Sequence, residues 1–436
     1  MGLYNSLNIG VSGLTSFGNA INVIGNNIAN VNTLGFKGKN VIFSDVLSEI
    51  LNLNGANFSN QAGNGVSIGS ITTDFSQGNI LGTSSATDLA INGNGMFVLS
   101  DPANGQQYFS RVGNFILDKS RNLISSQGLS VQGWALDSKG NITGNLTNIG
   151  FANLSAQAQA TTKADINISL DSSAAVPATT VFDPADPTSY NYKSELTVYD
   201  SLGNNHAVSV YFSKTADNAW NWKAVTDGAD VTGGTAGTPS IIGGGSLAFT
   251  ATGALDAEVA PLQTFNWTGG AAAGKINFNF GSAITTDASG TVGTGKDGTV
   301  QLAGNFATQS VVADGYAAGS LDKLETDSKG RIYGVFTNGE RRALFQVALA
   351  NFANFAALNQ AGDNLSTQSI ASGSPTIGQP GSGSLGSISP YGLESSNVDL
   401  ASEFVKMIQI QRGYEANSKT ILTTDQMLSS LMQIKR

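Results

Sequence analysis

No cysteine occurs anywhere in the 436 residues, which excludes a disulfide framework, thiolate metal sites and a cysteine nucleophile. The single histidine is His206. With no cysteine to join it, a zinc site or a Ser/His triad lacks its ligands. Charge is scarce as well, at 12% of residues, about half the ~25% usual in soluble proteins. The first charged side chain is Lys37, so the basic n-region of a cleaved secretory signal is missing. Asn, Ser or Gly interrupts every apolar run before it nears the ~18 residues that span a membrane.

Several features remain once these classes are removed. The apolar share is 40%, which together with low charge opposes disorder. Glycine is abundant, at 53 residues, as in a turn-rich β protein. The net charge of −9 disfavours nucleic acid and anionic membranes as partners. The length allows about two to four domains.

The two ends of the chain read as helices. From Leu3 to Val31 one apolar series runs Leu7, Leu14, Ile21, Ile28 and another Leu3, Gly10, Phe17, Ile24, Val31, a coiled-coil type of pattern. The opposite face carries Asn, Ser and Thr, including Asn19, Asn22 and Asn26, and no charge. Such a face suits enclosure by neighbours, where amides pair and ions are costly. The second helix is expected to start near "SSNVD", with Ser396 or Asn397 as N-cap and Asp399 in its first turn. Leu400, Met407, Tyr414, Ile421 and Leu428 recur every seven residues, and Phe404, Ile408 and Leu431 widen the stripe. An ordinary two-helix core is the plainer reading. It leaves outer faces undecorated for water, so self-association of many copies is the expectation.

Between the ends the pattern is short strands and tight turns. The expected fold class is mainly β with α-helical termini, in a discontinuous nested plan. Residues 1–40 with 396–436 form a terminal helical coiled-coil domain. Residues 41–70 with 373–395 are connector and linker. Residues 71–152 with 305–372 form a middle β-domain built from two segments, because "LDSKGNITG" at 136–144 is echoed by "TDSKGRIYG" at 326–334. Residues 153–304 form an inserted outer β-domain, with Trp220, Trp222, Ile276, Phe278 and Phe280 at alternating positions and Gly/Thr/Ala-rich loops such as 227–245.

No catalytic, cofactor or metal residue emerges from this chain. "GTVGTGKD" at 290–297 nearly matches a phosphate-binding loop, but Asp297 replaces the hydroxyl that would ligate magnesium and a strand-like run follows. "GSGSLG" at 381–386 lacks a preceding strand. Asp183, Asp186 and Glu195 are the candidates for carboxylate-only chemistry, and read more simply as turn residues and a strand end.

"NNIANVNTLGFKG" at 26–38 and the stretch from Ser396 to Arg436 resemble the terminal signatures of the flagellar rod and hook protein family. "LAINGNGMFVLSD", "YFSRVGNFILD" and "VYDSLGNNHAVSVYF" resemble its β-domain segments. The signature positions are Asn27, Asn30, Asn32, Gly35, Phe36, Gln411, Arg412 and Asn417. The length and the insert fit the hook branch; the rival within the family is a distal rod protein with an unusual insert. From a different class, the rival is a secreted carbohydrate-active enzyme or adhesin. The resemblance implies a curved helical tube of identical subunits, a flexible torque-transmitting joint whose terminal helices line a central export channel. It also implies export by the flagellar type III apparatus without a cleaved signal, an extracellular location at the basal body and hook, and no cofactor. The implied partners are a hook cap scaffold protein, a distal rod protein and a hook–filament junction protein. Asn30, Asn32 and Gly35 are expected to end the first helix.

Overall fold

The computed structural model describes residues 2–46, 49–51, 60–152, 154–288, 290 and 292–434. It is mainly β with one long helix near each end, α1 (Gly2–Ala29) and α2 (Leu400–Ile434). The chain forms two compact units: Met1–Asn153 with Lys323–Val335 and Arg341–Arg436, and Leu154–Asp322 with Phe336–Glu340.

In the first unit, strand Ser130–Leu136 joins early and late segments. It pairs antiparallel with Met96–Ser100 through Val131↔Leu99 and with Arg341–Val347 through Gly133↔Val347. Gly133 is required there, because a Cβ would lie 2.3 Å from the Gln346 carbonyl. Met96, Phe97, Val98 and Leu99 are all buried, the continuous apolar run of a strand covered on both faces.

Two segments expected to connect domains pair as strands within their described residues. Within 41–70, Lys39–Asp45 pairs with Val66–Thr73 as a two-stranded ribbon. Ser12 and Ser16 of α1 anchor it, the Ser12 hydroxyl accepting from Val66 N and the Ser16 hydroxyl donating to Val66 O. The α1 polar face is therefore partly enclosed by its own chain. Within 373–395, Thr376–Gly378, Ser387–Pro390 and Gly392–Glu394 pair with Leu349–Asn351, Leu89–Asn92 and Ile80–Gly82. Those edges offer unpaired backbone groups, and a Gly/Ser-rich segment can fill them without side-chain clash.

Three hairpin turns of this unit share one chemistry. Asp118, Asp137 and Asp327 each accept through Oδ1 from the backbone N–H four residues on, at 2.7–2.9 Å. Backbone hydrogen bonds from Asn122 and Asn141 come first among the influences holding the Asp118 and Asp137 carboxyls below their ordinary range. Each turn needs a left-handed residue at its fourth position. Gly140 and Gly330 supply it with φ of 80° and 69°, whereas Arg121 adopts it at 59°. Left-handed backbone costs a non-glycine residue about 1–2 kcal/mol, and glycine's extra unfolded freedom returns roughly half of that. Arg121→Gly is therefore expected to raise the unfolding midpoint slightly, by up to about 1 kcal/mol, and Gly140→Val to lower it, as read by thermal unfolding.

The second unit packs two larger sheets and the hairpin Thr264–Asn266/Ala273–Lys275 around an aromatic core. Tyr192–Tyr199, Asn205–Ala216, Ala219–Asp227, Pro239–Phe249 and Leu255–Val259 form an antiparallel meander. Lys163–Asp171 pairs in parallel with Asn277–Asn279 and Val300–Leu302, and antiparallel with Ala307–Ala313. Trp220, Trp222, Ile276, Phe278 and Phe280 are buried, as their alternation predicts. Two local expectations are corrected. Residues 307–313 belong with this unit rather than with 71–152, because their backbone completes the ladder on Lys163–Asp171. The loop expected over 227–245 becomes strand from Pro239, where Gly243 and Gly245 leave room for the Phe278 ring and the Val259 carbonyl.

Glu258 is buried on the last strand of the meander. Its Oε2 accepts from Phe280 N at 3.4 Å while Oε1 has no hydrogen-bond partner. Burial pushes its pKa up to about 8, with the charges of Asp287 and Asp165 adding to the rise and the Phe280 N–H opposing it. A carboxyl raised in the folded state stabilises fully below its unfolded value and loses that contribution as pH climbs toward the folded one. The unit should therefore weaken between about pH 4.5 and pH 8, by a few kcal/mol. Thermal unfolding across that window should show the slope in the wild type and a flatter profile in Glu258→Gln.

Candidate assembly surface

The contact between α1 and α2 is made by small residues. A Cβ added at Gly10 would lie 2.7 Å from Ile421 Cγ1, one at Gly13 would lie 2.7 Å from Asn417 Cγ, and one at Gly413 would lie 3.0 Å from Phe17 Cζ. Numbers rise on one helix as they fall on the other, so the pair is antiparallel. The buried stripe of α1 is Gly10, Gly13, Ser16, Ala20, Ile24 and Asn27.

This differs from the expected seam. Leu7, Leu14, Phe17, Ile21, Ile28 and Val31 are only half-buried, whereas Gly10 and Ile24 of the second series are buried. The side chain of Leu3 lies outside the described residues. On α2, Met407, Ile421 and Leu428 are half-buried with Gly413 and Asn417, whereas Leu400, Phe404 and Tyr414 are exposed. Leu400 and Tyr414 alternate with the half-buried Met407 and Ile421 in one seven-residue series, so that series runs along the margin of the contact. What remains is a broad apolar face with no cover in the single chain: Phe404, Val405, Ile408, Leu422 and Leu431 are each at least 50% exposed.

The base of the helix pair is fixed by polar groups. Asn27 is buried. Its side chain donates to Lys39 O at 2.8 Å and accepts from Lys39 N at 2.9 Å, as a strand neighbour would. The same amide donates to Glu403 Oε2 of α2 at 3.0 Å, and Lys406 donates to Glu403 Oε1 at 2.7 Å. Asp399, rather than Ser396 or Asn397, caps α2: its Oδ1 accepts from Ala401 N at 2.7 Å and Ser402 N at 3.2 Å. Asn397 instead accepts from Gly38 N at 2.8 Å.

At the end of α1, Asn30 donates to Asn26 O at 2.9 Å, closing a terminal carbonyl. Gly35 takes φ of 64°, and Phe36 is buried beside it. Asn32 lies exposed, with no left-handed backbone, and Gly35 N donates to Glu394 O rather than to a carbonyl of α1, so of the three only Asn30 bonds the helix end. Gln411 and Arg412 are exposed on α2, while Asn417 is half-buried against Gly13.

Below this lies a charged cluster that periodicity could not show. Glu394 is fully buried, with Oε1 on Lys37 Nζ at 2.7 Å and Oε2 on Arg111 Nε at 2.8 Å. Gly78 N also donates to Oε1, and Arg111 Nη1 donates to Gly93 O and Gly95 O. Burial alone would raise the Glu394 carboxyl; the hydrogen bond and charge of Arg111, followed by those of Lys37, outweigh it and hold the carboxyl below its usual range. Burial pulls the Lys37 ammonium below its ordinary range against the pull of Glu394.

The carboxylates weighed as chemical groups have structural roles. Asp183 Oδ1 accepts from Ala185 N, Asp186 caps a short turn at Thr188 N, and Glu195 pairs with Lys193. The near phosphate loop is followed by strand Val300–Leu302. His206 is buried, stacked on Trp267 at 3.9 Å. No group of metal-binding side chains occurs among the described residues.

Four family models match in chain order. They are Flagella basal body rod protein at 7–37, Flagellar hook protein FlgE/F/G D1 domain at 90–175, Flagellar basal body protein FlaE D2 domain at 169–316, and Flagellar basal body rod FlgEFG protein C-terminal at 392–434. The flagellar hook protein FlgE of Escherichia coli K12 is 36% identical over 98% of both chains. That of Borreliella burgdorferi is 33% identical over 99% of this chain and all of its own.

This chain belongs to the flagellar hook protein family. A solved structure of Helicobacter pylori hook protein FlgE2 aligns with 71% of the chain and 98% of its own, at 13% identity and a TM-score of 0.47. Hook proteins are structural, not an enzyme class, and the family implies a polymer of the chain itself at the flagellar basal body and hook.

Removing the Glu394 charge would leave Lys37 and Arg111 buried without their partner, a loss of about 3–5 kcal/mol. Glu394→Gln should show it in denaturant unfolding at pH 7. A depressed carboxyl contributes fully above its unfolded value and loses that contribution as pH falls through the folded one. The gap between variant and wild type should therefore close in acid.

Proposed function

We propose that the chain is the subunit of a curved tube that joins the flagellar rod to the filament and transmits torque while it bends. The observation that carries this reading is the apolar face of α2, with Phe404, Val405, Ile408, Leu422 and Leu431 open to solvent in a chain of the hook family. Burying such side chains yields about 1.5–3 kcal/mol each, and further copies of the chain are the surface that can do so. In this reading the helix pairs line a central channel for export. Residues 71–152 with 305–372 form a middle layer, apart from the stretch up to Asp322 and Phe336–Glu340, which belong to the second unit, and 153–304 an outer one.

The scarcity of charge suits a joint that bends. Contacts between small neutral side chains can slide, whereas ion pairs would fix one register. The rod-side neighbour is a distal rod protein, the filament-side neighbour a hook–filament junction protein, and growth proceeds beneath a cap scaffold. The chain reaches the site through the flagellar type III apparatus without a cleaved signal.

The test is polymerisation. Leu14→Asp or Ile21→Asp places an unpaired carboxylate on a half-buried face of α1, which becomes costly once that face is enclosed. Purified wild type should form tubes in the electron microscope. The variants should stay monomeric, with the β units unfolding at wild-type midpoints. Normal tubes from either variant would contradict the assignment.

A further inference from the structure

In the first unit, between strands Leu365–Thr367 and Thr376–Gly378, the chain makes a short loop with an unusual combination of properties. Ile370 at its tip is 104% exposed, so its side chain touches nothing in this molecule. Scattered exposed apolar residues are ordinary on protein surfaces, but most sit on segments free to shift.

This loop is pinned from beneath. Ser372 is fully buried, and its hydroxyl donates to Ser369 O at 2.9 Å and accepts from Ser369 N at 2.8 Å. The Ser369 hydroxyl answers by accepting from Ser372 N at 3.0 Å and donating to Ala357 O at 2.6 Å. Two serines thus close the loop on itself and tie it to the turn at Phe355–Ala357. An apolar tip held in one conformation loses little entropy when it docks.

Charge indicates what it docks to. Residues 364–393 contain no Asp, Glu, Lys, Arg or His. In a chain of net charge −9, copies repel wherever like charges meet. A second copy can approach along this stretch without that cost, as it can along the uncharged residues before Lys37. We propose that the loop at 368–374 is a preformed contact between copies of this chain, with Ile370 as its anchor, separate from the contact made by the terminal helices. A loop-to-loop contact would close on itself, so the receiving surface is placed elsewhere on the second copy, in a head-to-tail contact that propagates. The inference rests on the tube reading given above.

The test compares critical concentrations for tube formation, by sedimentation and electron microscopy, for wild type, Ile370→Glu, Ile370→Leu and Val181→Glu. Val181 is 76% exposed in the second unit and serves as a control for added charge. Ile370→Glu should raise the critical concentration by about tenfold or more, while Ile370→Leu and Val181→Glu stay near wild type. All variants should unfold at the wild-type midpoint, because neither side chain is buried. A photo-cross-linker at 370 should join two copies within tubes. Tubes of Ile370→Glu at the wild-type critical concentration, or cross-links confined to one chain, would overturn the loop contact and leave the tube reading standing. A wild type that forms no tubes would overturn both.

Discussion

Glu394 is the charge on which the first unit closes. Its carboxylate receives Lys37 from the segment after α1 and Arg111 from the β-domain, positions 357 and 283 residues away in sequence. Its backbone carbonyl accepts from Gly35 N at 2.8 Å, and Leu393 beside it pairs with Leu81. One residue thereby fixes the exit of α1, the approach to α2 and the strand edge between them. A buried ion group of this kind adds little net stability over an apolar replacement. Its value lies in geometry, since one carboxylate must be reached by cations from two separate segments at once.

Above that base the two helices meet through glycine, alanine and amide rather than through leucine. Close approach of the two backbones at Gly10, Gly13 and Gly413 makes room for Ile421, Asn417 and Phe17 of the facing helix. Each helix accordingly has an inner face that recognises its partner; α1 also carries the Lys39–Asp45/Val66–Thr73 ribbon, and the apolar side of α2 at Phe404, Val405 and Ile408 is open to solvent. A pair built in this way holds its shape as a unit and still carries apolar area for further copies, which a subunit of a polymer needs.

Much of this was legible in the sequence. The absence of charge before Lys37, the apolar repeats at both ends and the strand alternation at Trp220, Trp222, Phe278 and Phe280 gave the helical termini and the β interior directly. The helix contact uses part of the apolar series, Gly10 with Ile421 and Phe17 with Gly413, while the close approach at Gly13 and Gly413 is not legible because glycine carries no hydropathy signal. Glu394 sits inside a Gly/Ser-rich segment without periodicity, and its one signal in the sequence is that it is the first charge after Asp363. Asn27 read as one amide among many; its clamp on Lys39 and Glu403 depends on residues 12 and 376 positions away, which no local pattern encodes. The strands at 376–378, 387–390 and 392–394 have no periodicity of their own, because pairing with existing edges defines them.

The central claim is that the outer faces of α1 and α2 are completed by other copies of the chain. Amide hydrogen exchange, measured on the free chain and on assembled tubes under one set of conditions, tests it most directly. The account predicts that amides of Gly2–Ala29 and Leu400–Ile434 gain strong protection on assembly, while the core strands Ala219–Asp227 and Lys163–Asp171 keep the protection they have in the free chain. Equal protection of both helices in the two states would contradict it.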